Sequence, residues 1–77
     1  MPSTDEVRDR IERALPGAQA TVTDLTGGGD HLRAEVVYQG FAGLSRIQQH
    51  KLVNQALAAP LADGTIHELR IRTKGTA

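Results

Sequence analysis

The sequence of 77 residues contains no cysteine. Disulfide bonds and thiolate metal clusters are therefore excluded as sources of stability, and the packing of helices on a sheet has to hold the domain together. A bound metal would need histidine or carboxylate ligands from this chain, or thiolates from a partner. A chain of this length supports one core, so we expect a single domain over residues 1–77.

Long apolar runs and an excess of one charge are also absent. The apolar stretches are a few residues long, whereas a membrane-spanning helix needs about 20 residues, and the N-terminus lacks the pattern of a secretory signal. Nine basic and nine acidic side chains give a formal charge of zero. A strong positive field for non-specific nucleic-acid binding is therefore missing. We expect a cytoplasmic protein that acts without a membrane.

The first helix is predicted to start at Ser3, because the hydroxyl and carboxylate groups of residues 3–6 can cap free backbone N–H groups. Val7, Ile11 and Leu15 follow at intervals of four and form one apolar stripe. Pro16 ends the helix, since proline lacks the N–H that another turn requires.

A second helix is predicted from Arg46 to Ala58. Ser45 and Gln48 have the spacing of a capping box, in which each residue satisfies a backbone donor of the other. We expect its apolar stripe to consist of Ile47, Val53 and Leu57. Pro60 then leaves room only for a short further turn through Ala62.

Three segments have strand patterns. Residues 18–25 are rich in β-branched side chains, residues 32–39 alternate with a period of two, and in residues 66–73 Leu69 and Ile71 point away from Arg70 and Arg72. The loop Gly27-Gly28-Gly29-Asp30 joins the first two strands as a hairpin. The order αββααβ predicts an α+β fold with a three-stranded sheet covered by helices on one face.

Three spaced motifs resemble the BolA family. They are Phe-x-Gly-x-Ser at residues 41–45, Gln-Gln-His-x-x-Val-Asn-Gln-Ala-Leu at residues 48–57 and Ile-His-x-Leu-x-Ile-x-Thr at residues 66–73. The second motif is similar to the mitochondrial-type branch. The resemblance implies a fold related to class II KH domains. It also implies a partnership with a monothiol glutaredoxin around a shared [2Fe–2S] cluster.

The same resemblance suggests two metal ligands. The family's histidine at the start of the last strand is a cluster ligand, and His67 occupies this position. A second ligand comes from the hairpin loop, where the cysteine of cysteine-bearing relatives would fall near Gly28. Here His31 is the nitrogen ligand available, about three residues further on, and we leave open whether it ligates. The glutaredoxin and glutathione would supply the thiolates, so the isolated chain should hold no cofactor.

Each histidine also has a structural interpretation. Without the motif, we would interpret His67 as a histidine that forms a hydrogen bond with a backbone carbonyl. The motif favours the ligand role. His50 lies between Ile47 and Val53 on the predicted stripe, so we interpret it as a packing residue. A zinc site of three histidines is therefore not expected, and neither is an enzyme, because no nucleophile accompanies a histidine and carboxylate pair.

Two surfaces are predicted for partners. The turn containing Phe41, Gly43 and Leu44, together with the sheet edge, is the predicted docking surface for the glutaredoxin. Arg70, Arg72 and Lys74 line one side of the last strand and support an alternative, a KH-like transcriptional regulator that binds DNA weakly. The Gly-x-x-Gly at residues 40–43 is not the KH clamp, which joins two consecutive helices. On its own the chain is expected to be a monomer or a weak homodimer.

Overall fold

The fold is that of a computed structural model, and the structure describes residues 3–28 and 30–75. The elements follow the predicted order: α1 (Thr4–Ala14), β1 (Gln19–Asp24), β2 (His31–Val37), a 3-10 helix (Gln39–Phe41), α2 (Arg46–Ala56), α3 (Ala58–Ala62) and β3 (Glu68–Lys74). The α+β fold class is confirmed. Gly29, part of the predicted loop, lies outside the described residues. Within the described ranges, no helix is both long enough and apolar enough to cross a bilayer.

The sheet has the order β1-β2-β3, with β2 in the centre. β1 and β2 form the predicted antiparallel hairpin. β2 and β3 run parallel, with His31 opposite Glu68 and Val37 opposite Lys74. A parallel connection requires a crossover, which the 3-10 helix, α2 and α3 provide. The starts of β2 and β3 therefore meet at one end of the sheet.

The core lies between the helices and one face of the sheet. β2 contributes Leu32, Ala34 and Val36, which are almost completely buried, and its remaining side chains are partly exposed on the other face. From the helices and their connections, the most deeply buried side chains are Val7, Ile11, Phe41, Val53 and Leu57. The stripe predicted for α1 is confirmed.

Both predicted helix starts are confirmed. The Ser3 hydroxyl accepts the backbone N–H of Glu6 at 3.2 Å. In α2 the Ser45 hydroxyl accepts the N–H of Gln48 at 3.2 Å, and the Gln48 side chain accepts the N–H of Ser45 at 3.0 Å. These reciprocal bonds form the capping box and fix the point at which the chain turns into α2.

The buried stripe of α2 differs from the prediction. Ile47 is 73% exposed, so its assignment to the core was wrong. The stripe instead passes through Gln49, Val53 and Leu57, which are four residues apart, whereas Ile47 lies about half a turn from Gln49. The helix also ends at Ala56 rather than Ala58, because the backbone at Leu57 leaves the helical region and α3 starts anew.

Gln49 connects α2 to two other parts of the chain. Its side-chain amide donates to the carbonyl oxygens of Phe41 at 3.2 Å and Leu44 at 3.0 Å. The Oε1 atom of the same side chain accepts a hydrogen bond from the hydroxyl of Thr73 on β3. A single partly buried glutamine thus holds the turn before α2 against the end of the last strand.

Candidate metal centre at the rim of the sheet

The backbone brings His31 and His67 to the same rim. The main-chain carbonyl of Asp30 accepts the N–H of His67 at 2.7 Å and the N–H of Glu68 at 3.1 Å. These bonds join the residue before β2 to the residues at the start of β3. Both candidate ligands therefore stand side by side.

The two imidazole rings face each other across a short gap. Their centroids are 6.2 Å apart and their planes are inclined by 65°. The Oδ2 atom of Asp30 lies 3.3 Å from Nδ1 of His67 and 4.0 Å from Nε2 of His31. One ligand atom from each of the three residues lies within 4.8 Å of the other two, which is a spacing suited to a metal ion.

This rim is open to a partner. The side chain of His67 is 63% exposed, that of His31 is 39% exposed and that of Asp30 is 32% exposed. His67 shares the parity of the core-facing Leu69 but precedes β3, so its ring stands at the edge of the sheet instead of inside it. A metal held by another polypeptide can therefore reach both rings.

The hairpin loop is held by its own side chains. The Oδ1 atom of Asp24 accepts the N–H groups of Thr26 at 3.2 Å and Gly27 at 2.9 Å. The hydroxyl of Thr26 donates to Oδ1 of Asp30 at 3.3 Å. His31 is the first residue of β2, so its position beside His67 follows from the strand register and requires no movement of the glycine loop.

Gly28 also faces this site. A Cβ atom added at Gly28 would lie 3.1 Å from Oδ1 of Asp30. This is a tight contact with the side chain that separates the two histidines. A side chain at position 28 would therefore project toward the rim, where the resemblance described above implies the cysteine of cysteine-bearing relatives.

The carboxyl group of Asp30 favours its ionised form. Desolvation raises its pKa, but a backbone hydrogen bond at Asp30, the neighbouring ring of His31, the Thr26 hydroxyl and the ring of His67 together lower it by more. The result is a pKa below the ordinary value of 3.8. Glu68 adds a second carboxylate, whose Oε2 atom lies 3.8 Å from Nδ1 of His31. Neither Asp30 nor Glu68 was predicted as part of the site, although both are sequence neighbours of the histidines.

The donor set fits an iron–sulfur cluster completed by a partner. Two imidazoles replace two thiolates on one iron in Rieske centres, where they raise the reduction potential. The exposed rings could offer one or two nitrogen ligands to iron, and the chain has no cysteine to offer sulfur. A cluster at this rim would need its thiolates from another molecule.

The predicted docking turn is only partly accessible. Phe41 is completely buried, with its ring 5.2 Å from that of Tyr38, so the prediction that its side chain contacts a partner was wrong. An aromatic side chain in a turn resembles a docking residue in sequence, but here it closes the core. Gly43 is exposed and Leu44 is half-buried, and both remain candidates for contact.

The basic side chains of β3 alternate with those that pack on the helices. Arg70, Arg72 and Lys74 are exposed on the uncovered side of the sheet. Arg70 pairs with Glu68, with 3.7 Å between Nε and Oε2, and Arg33 on β2 pairs with Glu35 at 3.4 Å. Carboxylates therefore interrupt this basic patch.

His50 is separate from the other two histidines. It is half-buried and lines a groove of about 620 Å³ together with Arg46, Ile71 and Thr73. This groove lies toward the end of β3, whereas His67 precedes its start. The structure thus does not bring the three histidines together.

The comparison with protein families gives the class of this domain. The model of the BolA-like protein family matches residues 4–77. The chain belongs to the BolA family.

Individual relatives agree with this assignment. An uncharacterized protein of Rickettsia prowazekii is 37% identical over 71 residues, which is 92% of this chain and 91% of that protein. BolA-like protein 1 of mouse is 34% identical over 83 residues, covering 99% of this chain but 60% of the mouse protein. The chain therefore spans less than two thirds of that longer relative.

A solved structure and one further name are informative. The solution structure of yeast Fra2 has a TM-score of 0.77 and 31% identity, with 95% of this chain and 78% of Fra2 covered. A Vibrio cholerae protein named DNA-binding transcriptional regulator BolA is 46% identical over 50 residues, which is 65% of this chain and 46% of that protein.

Proposed function

We propose that this chain binds a monothiol glutaredoxin and completes the coordination of a bridging [2Fe–2S] cluster with imidazole nitrogen. The observation that carries the proposal is the exposed pair of rings, His31 and His67, with centroids 6.2 Å apart at one rim of the sheet. The glutaredoxin and glutathione would provide the thiolates. The role would be in the assembly or transfer of iron–sulfur clusters or in the sensing of iron.

His67 has the stronger claim to the first ligand. It occupies the ligand position implied by family membership, and its ring is the more exposed of the two. The parallel register supports His31 as the second ligand, because it fixes His31 beside the start of β3, which His67 precedes. Rotation of the two side chains would then be sufficient to bring a ring nitrogen to the iron, without movement of the strands.

The test is spectroscopic. The chain is mixed with a cluster-loaded monothiol glutaredoxin, and visible absorption and circular dichroism are recorded for the wild type, His67→Ala and His31→Ala. His50→Ala is the matched control, since it removes an imidazole of α2 that lies near the opposite end of β3 from His67. We expect His67→Ala to change the spectrum and the control to leave it unchanged.

A wild-type spectrum for His67→Ala would contradict the proposal, whereas the result for His31→Ala decides how many ligands the chain supplies. A wild-type spectrum for His67→Ala would show that this imidazole is not a ligand, and an intact complex would then indicate docking without ligation. If only His31→Ala were silent, His67 would be the single ligand from this chain.

The second candidate is DNA binding, which the exposed row Arg70, Arg72 and Lys74 supports. The Vibrio cholerae relative carries that function in its name. Retention on duplex DNA should weaken with salt and disappear in the double variant Arg70→Ala, Arg72→Ala. Because Glu35 and Glu68 pair with neighbouring arginines, we rank this function below cluster binding.

A further inference from the structure

The carboxylate of Asp30 stands between the two histidines, and its place is held from two sides. Its Oδ1 atom accepts the hydroxyl of Thr26 at 3.3 Å, and its Oδ2 atom lies 3.3 Å from Nδ1 of His67. With 32% exposure it is the least exposed member of the group. It therefore presents a fixed negative oxygen to one particular nitrogen of His67.

The main chain and the side chain of Asp30 perform separate tasks. The carbonyl oxygen accepts the N–H groups of His67 and Glu68 and thereby joins the strand starts. The carboxylate makes no contribution to those two bonds. A change of side chain at position 30 should consequently leave the backbone of the rim in place.

A neutral imidazole carries one hydrogen, and the environment selects the nitrogen that holds it. A carboxylate next to Nδ1 favours the hydrogen on Nδ1 and leaves the lone pair on Nε2. Metal-binding histidines commonly have this arrangement, in which an outer carboxylate sets the tautomer and ring orientation and makes the other nitrogen a better ligand.

We infer that Asp30 is a positioning residue that keeps the hydrogen of His67 on Nδ1 and directs Nε2 outward as the ligand atom. The consequence for a cluster rests on the proposed function, whereas the choice of tautomer is a property of the isolated chain. His31 lies further from the same oxygen, with 4.0 Å between Nε2 and Oδ2, so His67 is the ring whose nitrogen the carboxylate approaches most closely.

The primary test needs no metal. Long-range ¹H–¹⁵N correlation spectra of the labelled isolated chain are recorded over a series of pH values, and the tautomer is assigned from the spectra in which the ring is neutral. We expect Nδ1 of His67 to carry the hydrogen in the wild type. Asp30→Ala should shift the population toward hydrogen on Nε2, and Asp30→Asn, which keeps a neutral acceptor, should give an intermediate result.

Glu68→Gln is the matched control. It removes a negative charge from the same rim, but its Oε2 atom faces Nδ1 of His31. The His67 tautomer should be unchanged in this variant. Backbone amide shifts of residues 67 and 68 report whether the strand starts have stayed in place. A wild-type His67 with its hydrogen on Nε2, or ring shifts unaffected by Asp30→Ala, would overturn the inference.

A second measurement separates this inference from the proposed function. In the cluster-loaded complex, Asp30→Ala should weaken retention of the cluster against a chelator by about 10- to 100-fold, as for other outer partners of metal-bound histidines. If the tautomer changes as expected but His67→Ala leaves the spectrum of the complex unaltered, the proposed function fails and the positioning role remains. If His67→Ala alters the spectrum while Asp30→Ala changes no tautomer, the positioning role fails and the proposed function stands.

Discussion

Replacement of Gln49 by alanine tests how the turn before α2 is held. The variant loses two hydrogen bonds donated to the carbonyls of Phe41 and Leu44, and one accepted from Thr73. A net hydrogen bond contributes about 1 kcal/mol, and the carbonyl of Phe41 keeps the N–H of Leu44 as a donor. We therefore expect the free energy of unfolding to fall by about 2 to 3 kcal/mol.

That loss is a large part of what a domain of this size possesses. For 60 to 100 residues, 1 kcal/mol corresponds to a shift of roughly 4 to 8 °C in Tm. The expected decrease is thus about 8 to 24 °C, which circular dichroism follows during thermal unfolding. Thr73→Val should reproduce a smaller part of the loss, because only the bond to β3 disappears.

The control is Gln55→Ala, which removes the same type of side chain from an exposed position of α2. Exposed substitutions of this type usually change stability by less than about 0.5 kcal/mol. If Gln49→Ala were no more destabilising than Gln55→Ala, the bonds of Gln49 would not hold the turn. Affinity for a monothiol glutaredoxin, the partner proposed above, is measured at a temperature where the variant is folded and should also fall if Gly43 and Leu44 contact it.

Three further predictions concern single positions. Gly28→Cys should place a thiol beside Asp30 and slow cluster loss from the glutaredoxin complex, and Gly28→Ser, a residue of similar size, should not. Ser45→Ala removes one half of the capping box and should cost about 1 kcal/mol in urea unfolding; no change would mean that the box is not formed in solution. The bonds from Thr65 hold the pKa of Asp63 below 3.8, so its stabilising effect is present above that pH and is lost as the pH falls through the lower folded value. Asp63→Asn should therefore unfold with a shallower acid dependence below pH 3.8, and an unchanged profile would contradict this cause.

Regular patterns in the sequence predict much of this fold. The α1 stripe and the capping box are set by local spacing, and the alternation in β2 matches its burial. Local signals of this kind survive folding because each depends on residues within one turn or one strand. The strand ends are less exact: β3 begins at Glu68, two residues after the predicted Ile66.

The predictions that failed concern the choice between core and surface. Ile47 was expected in the core because it is apolar, and Phe41 was expected at a partner surface because it lies in a turn. Their environments depend on the direction of the helix face and on the volume left under the turn. Both are properties of the assembled layers, and spacing within one element does not contain them.

The candidate site shows the same division. The motifs single out His67 and His31 as residues, but their proximity arises from a parallel register between β2 and β3. Asp30 was assigned only to the glycine loop. Its role depends on His67, which lies more than thirty positions later in the chain, so the sequence around Asp30 does not indicate it. Neighbours across a parallel sheet leave no local signal in the sequence.

The carbonyl of Asp30 that joins the two strand starts has a consequence for protein engineering. Every residue except proline has a main-chain N–H, and all residues have a main-chain carbonyl, so the hydrogen bonds that join the strand starts do not depend on the side chains at positions 28, 31 and 67. Sulfur, nitrogen or oxygen donors can thus be exchanged on an unchanged backbone. The rim offers a small cysteine-free scaffold on which the preference for different metals can be compared one ligand at a time.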